Sequence, residues 1–284
     1  MKRVFPFVSV LAVAVGLCLR TPAQTGIGVT PGWLRYLGPG GNPYSCSSGT
    51  CHLADEHWLS SFNVSAGATL AVGSTFSPLI IRSTGSCTVA GTIANNPKVG
   101  GGIVLHGDFG GGGGGGGAGE FRNGNQGFVG VGDGWVEITG GGRRGVAPAG
   151  SGGNGESTNP GQYRSLLSAG SFWPGGGSVG GSGGSTAGGQ GGDGGAIVIL
   201  VCESMNFTGT IDVSGGAGSA PTANNGGAGG GGGGGYVILS ASTWVANSGT
   251  IKTAGGVGGS CMGFTGCGAG GNGGNGWSMA ITIE

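Results

Sequence analysis

Two copies of one pattern, set 40 residues apart, limit what this chain can fold into. Residues 194–219 read GGAIVILVCESMNFTGTIDVSGGAGS, and residues 234–259 read GGYVILSASTWVANSGTIKTAGGVGG. Each copy opens with Gly-Gly, runs through an apolar segment, reaches Gly-Thr-Ile and closes on Gly-Gly-x-Gly. A fixed period of this size marks a repeat architecture, in which each unit buries its apolar face only against its neighbours. Met205, Phe207, Ile211 and Val213 alternate with Asn206, Thr208, Thr210 and Asp212, the period of a half-buried strand. The preceding stretch, residues 197–201, is continuously apolar and predicts a strand covered on both faces. Gly-Thr-Ile occurs once more at residues 91–93, offset by 118 from the first copy, close to three periods. Trp277, Met279, Ile281 and Ile283 alternate with Ser278, Ala280 and Thr282 in a partial last copy.

Glycine supplies 79 of 284 residues, much of it in runs such as 110–117 and 226–235. Ordering a glycine costs about 1–2 kcal/mol of backbone entropy with no side chain to bury in return. A flexible linker is therefore the simplest reading of such runs. Against it, the chain is 37% hydrophobic, and the runs join strands that pin their ends. The ordered alternative is the polyglycine II helix, with three residues per turn and no internal hydrogen bonds. Lacking Cβ atoms, such helices approach closely enough to bond to one another. Collagen is excluded, because no Gly-X-Y phase runs through the chain and Pro totals only 11.

Residues 1–23 read as a secretory leader: Lys2 and Arg3, an apolar stretch from Val8 to Leu19, then small residues before Gln24. The mature chain is expected outside the cell, with no second apolar segment able to span a bilayer. Removing Lys2, Arg3 and Arg20 leaves 11 − 3 = 8 basic against 11 acidic residues, a net of about −3. That balance argues against nucleic acid as a partner. At 8% charged residues, lateral self-association through strand edges is the expected partnership. Six cysteines remain, and an even count in a secreted chain favours disulfides, although six allow 15 pairings. Cys46–Cys51 and Cys261–Cys267 are close enough in sequence to pair locally. Cys87–Cys202 follows by elimination, although Cys87 falls on the inward phase of its strand and Cys202 on the outward phase. No standard zinc spacing is present, and neither metal nor cofactor is expected.

Residues 24–62, with Trp33, Tyr36, Tyr44 and Trp58, suggest a small N-terminal cap with a local disulfide. Within it, Asp55-Glu56-His57 reads as a short solvated turn. Residues 63–284 form the glycine-rich β-repeat domain, with a glycine-rich insertion at 100–195. The insertion carries a strand-like segment at 135–138 and an aromatic island built on Tyr163, Arg164, Phe172 and Trp173. The island either anchors the glycine layer or forms a recognition loop, since aromatics and Arg concentrate at binding hot spots. Catalytic patterns do not assemble. Gly-x-Gly-x-x-Gly loses its information in so glycine-rich a chain, and GGSGG at 180–184 lacks strand–turn–helix context. The stretch GGQGGDGGA at 188–196 partly matches a calcium nonapeptide but has no tandem copies. The acidic residues are scattered, so no carboxylate pair nominates itself for glycoside chemistry.

The glycine runs broken by Gly-Thr-Ile strands resemble those of secreted bacterial glycine-rich repeat proteins. The runs such as 110–117 are also similar to those of the polyglycine II tip adhesins of T-even-type phages. In those adhesins, packed glycine helices form a rigid slab and variable loops bind the host receptor. This chain departs from them in its leader and its six mature cysteines. The expected fold is all-β: a solenoid-like stack of sheets with packed polyglycine II segments. Three functions remain open. The first is a non-enzymatic extracellular structural protein, such as a coat, matrix or filament subunit. The second is an adhesin or surface-glycan-binding module using Tyr163, Arg164, Phe172 and Trp173. The third is a β-helical polysaccharide-degrading enzyme.

Overall fold

The structure, a computed structural model, describes residues 31–72, 79–95 and 188–283, with 117–118, 122–124, 130–131, 137–139, 144–147, 149–155, 157 and 183–184 between them. The fold is all-β, a solenoid of two parallel sheets. Among the described residues, three long strands and four shorter ones build the first sheet. They are β1 (Tyr44–Cys46), β3 (Asp55–Leu59), β4 (Phe62–Val64), β6 (Leu79–Val89), β10 (Ile197–Phe207), β12 (Tyr236–Asn247) and β14 (Trp277–Thr282). Short strands build the second: β2 (Thr50–Leu53), β5 (Thr69–Val72), β7 (Thr92–Asn95), β11 (Thr210–Asp212) and β13 (Thr250–Lys252). A separate antiparallel pair, β8 (Gly130–Val131) and β9 (Glu137–Thr139), lies in the insertion.

The coils built on β6, β10 and β12 follow one recipe. A long strand crosses the first sheet, turns at the glycine of Gly-Thr-Ile and enters a short strand of the second. The corner glycine is required by close approach: a Cβ on Gly209 would collide with the Gly91 carbonyl of the coil below. Stacking aligns the repeat into a threonine column, Thr50, Thr69, Thr92, Thr210 and Thr250. Beside it runs an apolar column of Cys51, Leu70, Ile93, Ile211 and Ile251. The apolar column points between the sheets and meets Val198, Leu200, Met205 and Phe207 in one buried cluster.

The first halves of β6, β10 and β12 are buried on both faces, as the unbroken apolar run at 197–201 requires. Their outer face carries Ile80, Ile197, Ile199, Val201 and Ile238. A five-residue helix, α1 (Pro31–Arg35), covers it, inserting Leu34 and accepting a 3.1 Å hydrogen bond from the Ser240 hydroxyl at the Leu34 carbonyl. Arg82 is fully buried on this face. Its guanidinium bonds Glu56 at 2.5 Å, donates to the Tyr36 carbonyl and lies 5.5 Å from the Tyr36 ring centroid. A buried guanidinium needs such partners to offset its lost hydration. Asp55-Glu56-His57 is therefore not a turn. It belongs to β3, which pairs with β6 and supplies Arg82 with its counter-charge.

Three disulfides join the pairs expected: Cys46–Cys51, Cys87–Cys202 and Cys261–Cys267. The phase conflict at Cys202 disappears in the structure. The β6–β10 register slips between Cys202 and Ser204, so Glu203 stands opposite two residues, Thr84 and Gly85. The bulge turns Cys202 to the same face as Met205, with Cys87 in reach. A second bulge corrects the repeat itself. Ile197 pairs with Tyr236, 39 residues on, whereas Asn206 pairs with Ala246, 40 residues on. The copy offset by 118 is not three coils away, because β6 is the direct neighbour of β10. One coil has simply been opened by an insertion. Among the described residues, no helix is long and apolar enough to cross a membrane.

Candidate functional site

Glycine segments carry the chain from one coil to the next, and five of them pack into a slab beside the sheets. They are run I (188–195), run II (215–219), run III (226–235), run IV (254–259) and run V (268–276). Runs II and III form a hairpin leaving β11 and returning to β12. Runs IV and V do the same between β13 and β14. Run III lies at the centre, and every one of its ten residues is buried. Gly229, Gly232 and Gly235 donate to the Ser219, Gly216 and Val213 carbonyls at 2.8–2.9 Å. Ala228, Gly231 and Gly234 donate to Gly268, Gly271 and Gly274 at 2.9–3.0 Å. Its Gly227, Gly230 and Gly233 carbonyls accept from Gly189, Gly192 and Gly195 of run I, each at 2.8 Å. Gly256 and Gly259 of run IV donate to Gly232 and Gly229 at 2.7 Å.

The same neighbour is met at every third residue. A β ladder would repeat every second residue; a repeat of three is that of the polyglycine II helix. Run III thus bonds to four surrounding helices, two parallel and two antiparallel to it. A Cβ on Gly232 would collide with the Asp193 carbonyl. Most residues other than glycine fall where the helix turns away from its neighbours: Gln190 and Asp193, Ala254 and Val257, then Ala269, Asn272 and Asn275; the fully buried Ala228 of run III is an exception. Each set is spaced by three, so a triplet phase does exist locally. The stretch at 188–196 contains run I, and its triplets account for the partial match to a calcium motif. Among the described residues, no three His, Cys, Asp or Glu side chains converge as metal ligands.

Asparagine side chains extend the slab by imitating peptide groups. Asn272 and Asn275 accept from the Gly258 and Gly255 amides at 2.8 and 3.0 Å. Asn154 in turn accepts from the Asn272 amide at 2.9 Å. Asn95 donates to the Ser214 carbonyl and accepts from the Ala196 amide, bridging β7 to the glycine layer.

The hairpin tips gather at the far end of the slab. Residues 220–225 and 260–267 are tied by two bonds: Asn225 amide to Thr265 carbonyl, 2.8 Å, and Thr265 amide to the Asn224 side chain, 3.1 Å. Cys261–Cys267 closes the second tip. Described parts of the insertion dock alongside. Ala118 bonds Gly268 and Gly150, and Gly152 and Gly155 donate to run V. Met262 and Val146 stand at this end, 84% and 62% exposed. Tyr163, Arg164, Phe172 and Trp173 lie outside the described residues.

The ends of the stack form the other candidate surface. Trp244 and Ile251, half-buried against the core, sit on strand segments that no further strand covers among the described residues. At the opposite end Tyr44 stacks on Phe62 at 5.8 Å, with its phenol held above the usual tyrosine range by burial. No family model, curated protein or solved structure matches this chain.

Proposed function

We propose that this chain is a non-enzymatic extracellular structural protein, a subunit of a surface coat, matrix or filament, exported by its leader. The observation that carries the reading is the glycine slab. A slab whose interior is hydrogen-bonded backbone, in a body covalently stapled in three places, offers stiffness. Parallel edges that no further strand covers among the described residues, at both ends of the sheets, suit lateral or end-on assembly. Electron microscopy of the oxidised mature protein across a concentration series is the test. Ordered polymers are expected; monodisperse monomers at millimolar concentration would overturn the reading.

The clustered hairpin tips favour a second use of the same scaffold, display of a binding surface for cell-surface glycans. The insertion, whose described parts dock beside these tips, carries Tyr163, Arg164, Phe172 and Trp173 in its sequence. Binding to a glycan array that Trp173→Ala abolishes, with the thermal midpoint unchanged, is the expected result. An array without hits removes this use.

A further inference from the structure

The two ends of the solenoid are stepped, and the steps match. The first sheet divides lengthwise into two columns. Its first-half column stacks β3, β6, β10, β12 and β14; its second-half column stacks β1, β4, β6, β10 and β12. The second sheet stacks β2, β5, β7, β11 and β13. Every column therefore holds five strands among the described residues, but they do not start level. At the N-terminal end, β1 and β2 stand one strand higher than β3. At the C-terminal end, β14 covers only Tyr236–Ala241 of β12, and the rest of β12 and all of β13 lie one strand lower.

We propose that these ends form a lap joint between successive copies of the chain, stacked head to tail along one axis. The inference rests on the scaffold reading above and names the surface through which the scaffold grows. In the joint, β1 of the incoming copy lies on the open part of β12, its β2 on β13 and its β3 on β14. β14 of one copy and β1 of the next then share a level and together complete one long rung, as β3 and β4 do within the chain. All three columns continue without a gap.

The register follows from the pairings within one copy. Tyr44, Phe62, Cys87, Met205 and Trp244 occupy one position of the second-half column. The next Tyr44 therefore seats on Trp244, extending an aromatic stack that already joins Tyr44 to Phe62. Ser45 meets Ala246, and Cys46 meets Asn247. In the second sheet Cys51 of the incoming copy covers Ile251. In the first-half column its Trp58, 46% exposed, meets Ile281. The joint thus removes from water the apolar side chains that each end leaves part-exposed, and pairs the strand edges left open among the described residues. A second copy is the occupant that fits, because only an end carrying the inverse step closes all three columns at once.

The experiment mixes oxidised mature Ser45→Cys protein with Ala246→Cys protein. Neighbouring strands lie about 4.8 Å apart, within disulfide reach. Disulfide-linked heterodimers are expected in the mixture and none from either protein alone. Polymers should show an axial repeat of about 24 Å, five rungs of about 4.8 Å. Ile251→Lys should raise the critical concentration about tenfold or more by placing a charge in the joint, whereas Val257→Lys, on the slab, should not change it. Polymers with another repeat and no mixed cross-link overturn the joint and leave the scaffold reading standing. Monomers at all concentrations overturn both.

Discussion

Leu200 and Gly232 are both shut off from water, and almost nothing else about their surroundings is alike. Leu200 lies between the sheets in a cluster of Leu, Ile, Val and Phe side chains, where contact is made by hydrocarbon. Gly232 lies in run III, where the nearest atoms are the carbonyls and amides of neighbouring backbones. The first region gains stability by removing apolar surface from water. The second has no apolar surface to remove. It must recover the ordering entropy of glycine through a dense net of hydrogen bonds and dispersion between backbones at close range. A side chain is thus the means of packing in one region and an obstacle in the other.

Opposite substitutions should therefore cause similar damage. Leu200→Ala leaves a cavity and is expected to cost about 3 kcal/mol. Gly232→Ala adds one methyl group, and is also expected to cost about 3 kcal/mol. The Asp193 carbonyl in its way belongs to a backbone that is itself bonded to run II, and cannot rotate aside. Urea unfolding of both variants checks the magnitudes. Hydrogen exchange separates the mechanisms. In the intact protein, the amides of Gly229, Gly232 and Gly235 should exchange as slowly as those of β10. In Gly232→Ala the slab amides should speed up while those of β10 stay protected. Rapid exchange throughout run III in the unmodified protein would show that the slab is not part of the folded body.

How much of this contrast can be read in the residues differs between the two regions. The apolar stretch 197–201 and the alternation from Met205 to Val213 announce their strands and burial, because side-chain pattern is what decides sheet packing. Two of the cysteine pairs follow from proximity, and the third, Cys87–Cys202, only by elimination. The slab is harder to read, since a glycine run has almost no side chains to carry a pattern. Its signal lies in the exceptions, the triplet spacing of Gln190 and Asp193 and of Ala269, Asn272 and Asn275. Bulges are invisible for another reason: nothing local at Cys202 or Met205 marks the slip that β6 and β12 impose from either side. Glu56 likewise looks like a solvated turn residue until the fold brings Arg82 to it across 26 positions.

Ala228 sharpens the comparison at smaller scale. It is a side chain inside run III, fully buried, at a position where the lattice leaves room for one methyl group. Ala228→Gly is expected to cost about 1 kcal/mol, mostly through the freedom it returns to the unfolded chain. That is well below the cost of adding the same methyl at Gly232. If calorimetry instead showed the two substitutions to be equally harmful, room for a methyl group would not be what sets Ala228 apart from Gly231 and Gly234 of the same triplet, where a Cβ would meet the Gly256 and Thr253 carbonyls.

The smallest effect sits at the seam between the regions. Asp212 ends β11, and the chain enters run II three residues later. Partial burial would push its carboxyl up, but hydrogen bonds from Ser214 and Lys252 and the nearby Lys252 charge outweigh it, so the pKa lies below the ordinary range. The Ser214 amide donates to it at 3.1 Å, and the Lys252 ammonium lies 3.3 Å away. A carboxyl whose folded pKa is depressed stabilises the fold above its unfolded pKa, near 4, and loses that contribution as pH falls through the folded value. Lys252 is more than half exposed, so solvent screening limits the contribution to about 0.5 kcal/mol or less. Between pH 6 and pH 2.5 the native protein should lose about that much more stability than Asp212→Asn. High salt should remove the share that comes from the Lys252 charge and leave the share that comes from Ser214. Exchange of the Val213 amide, which bonds the Lys252 carbonyl at 2.9 Å, is the local readout. It should quicken at low pH relative to the amides of run III, so that the seam loosens while the slab beside it holds. Were run III to loosen first, the slab would depend on this ion pair rather than on its own backbone bonds.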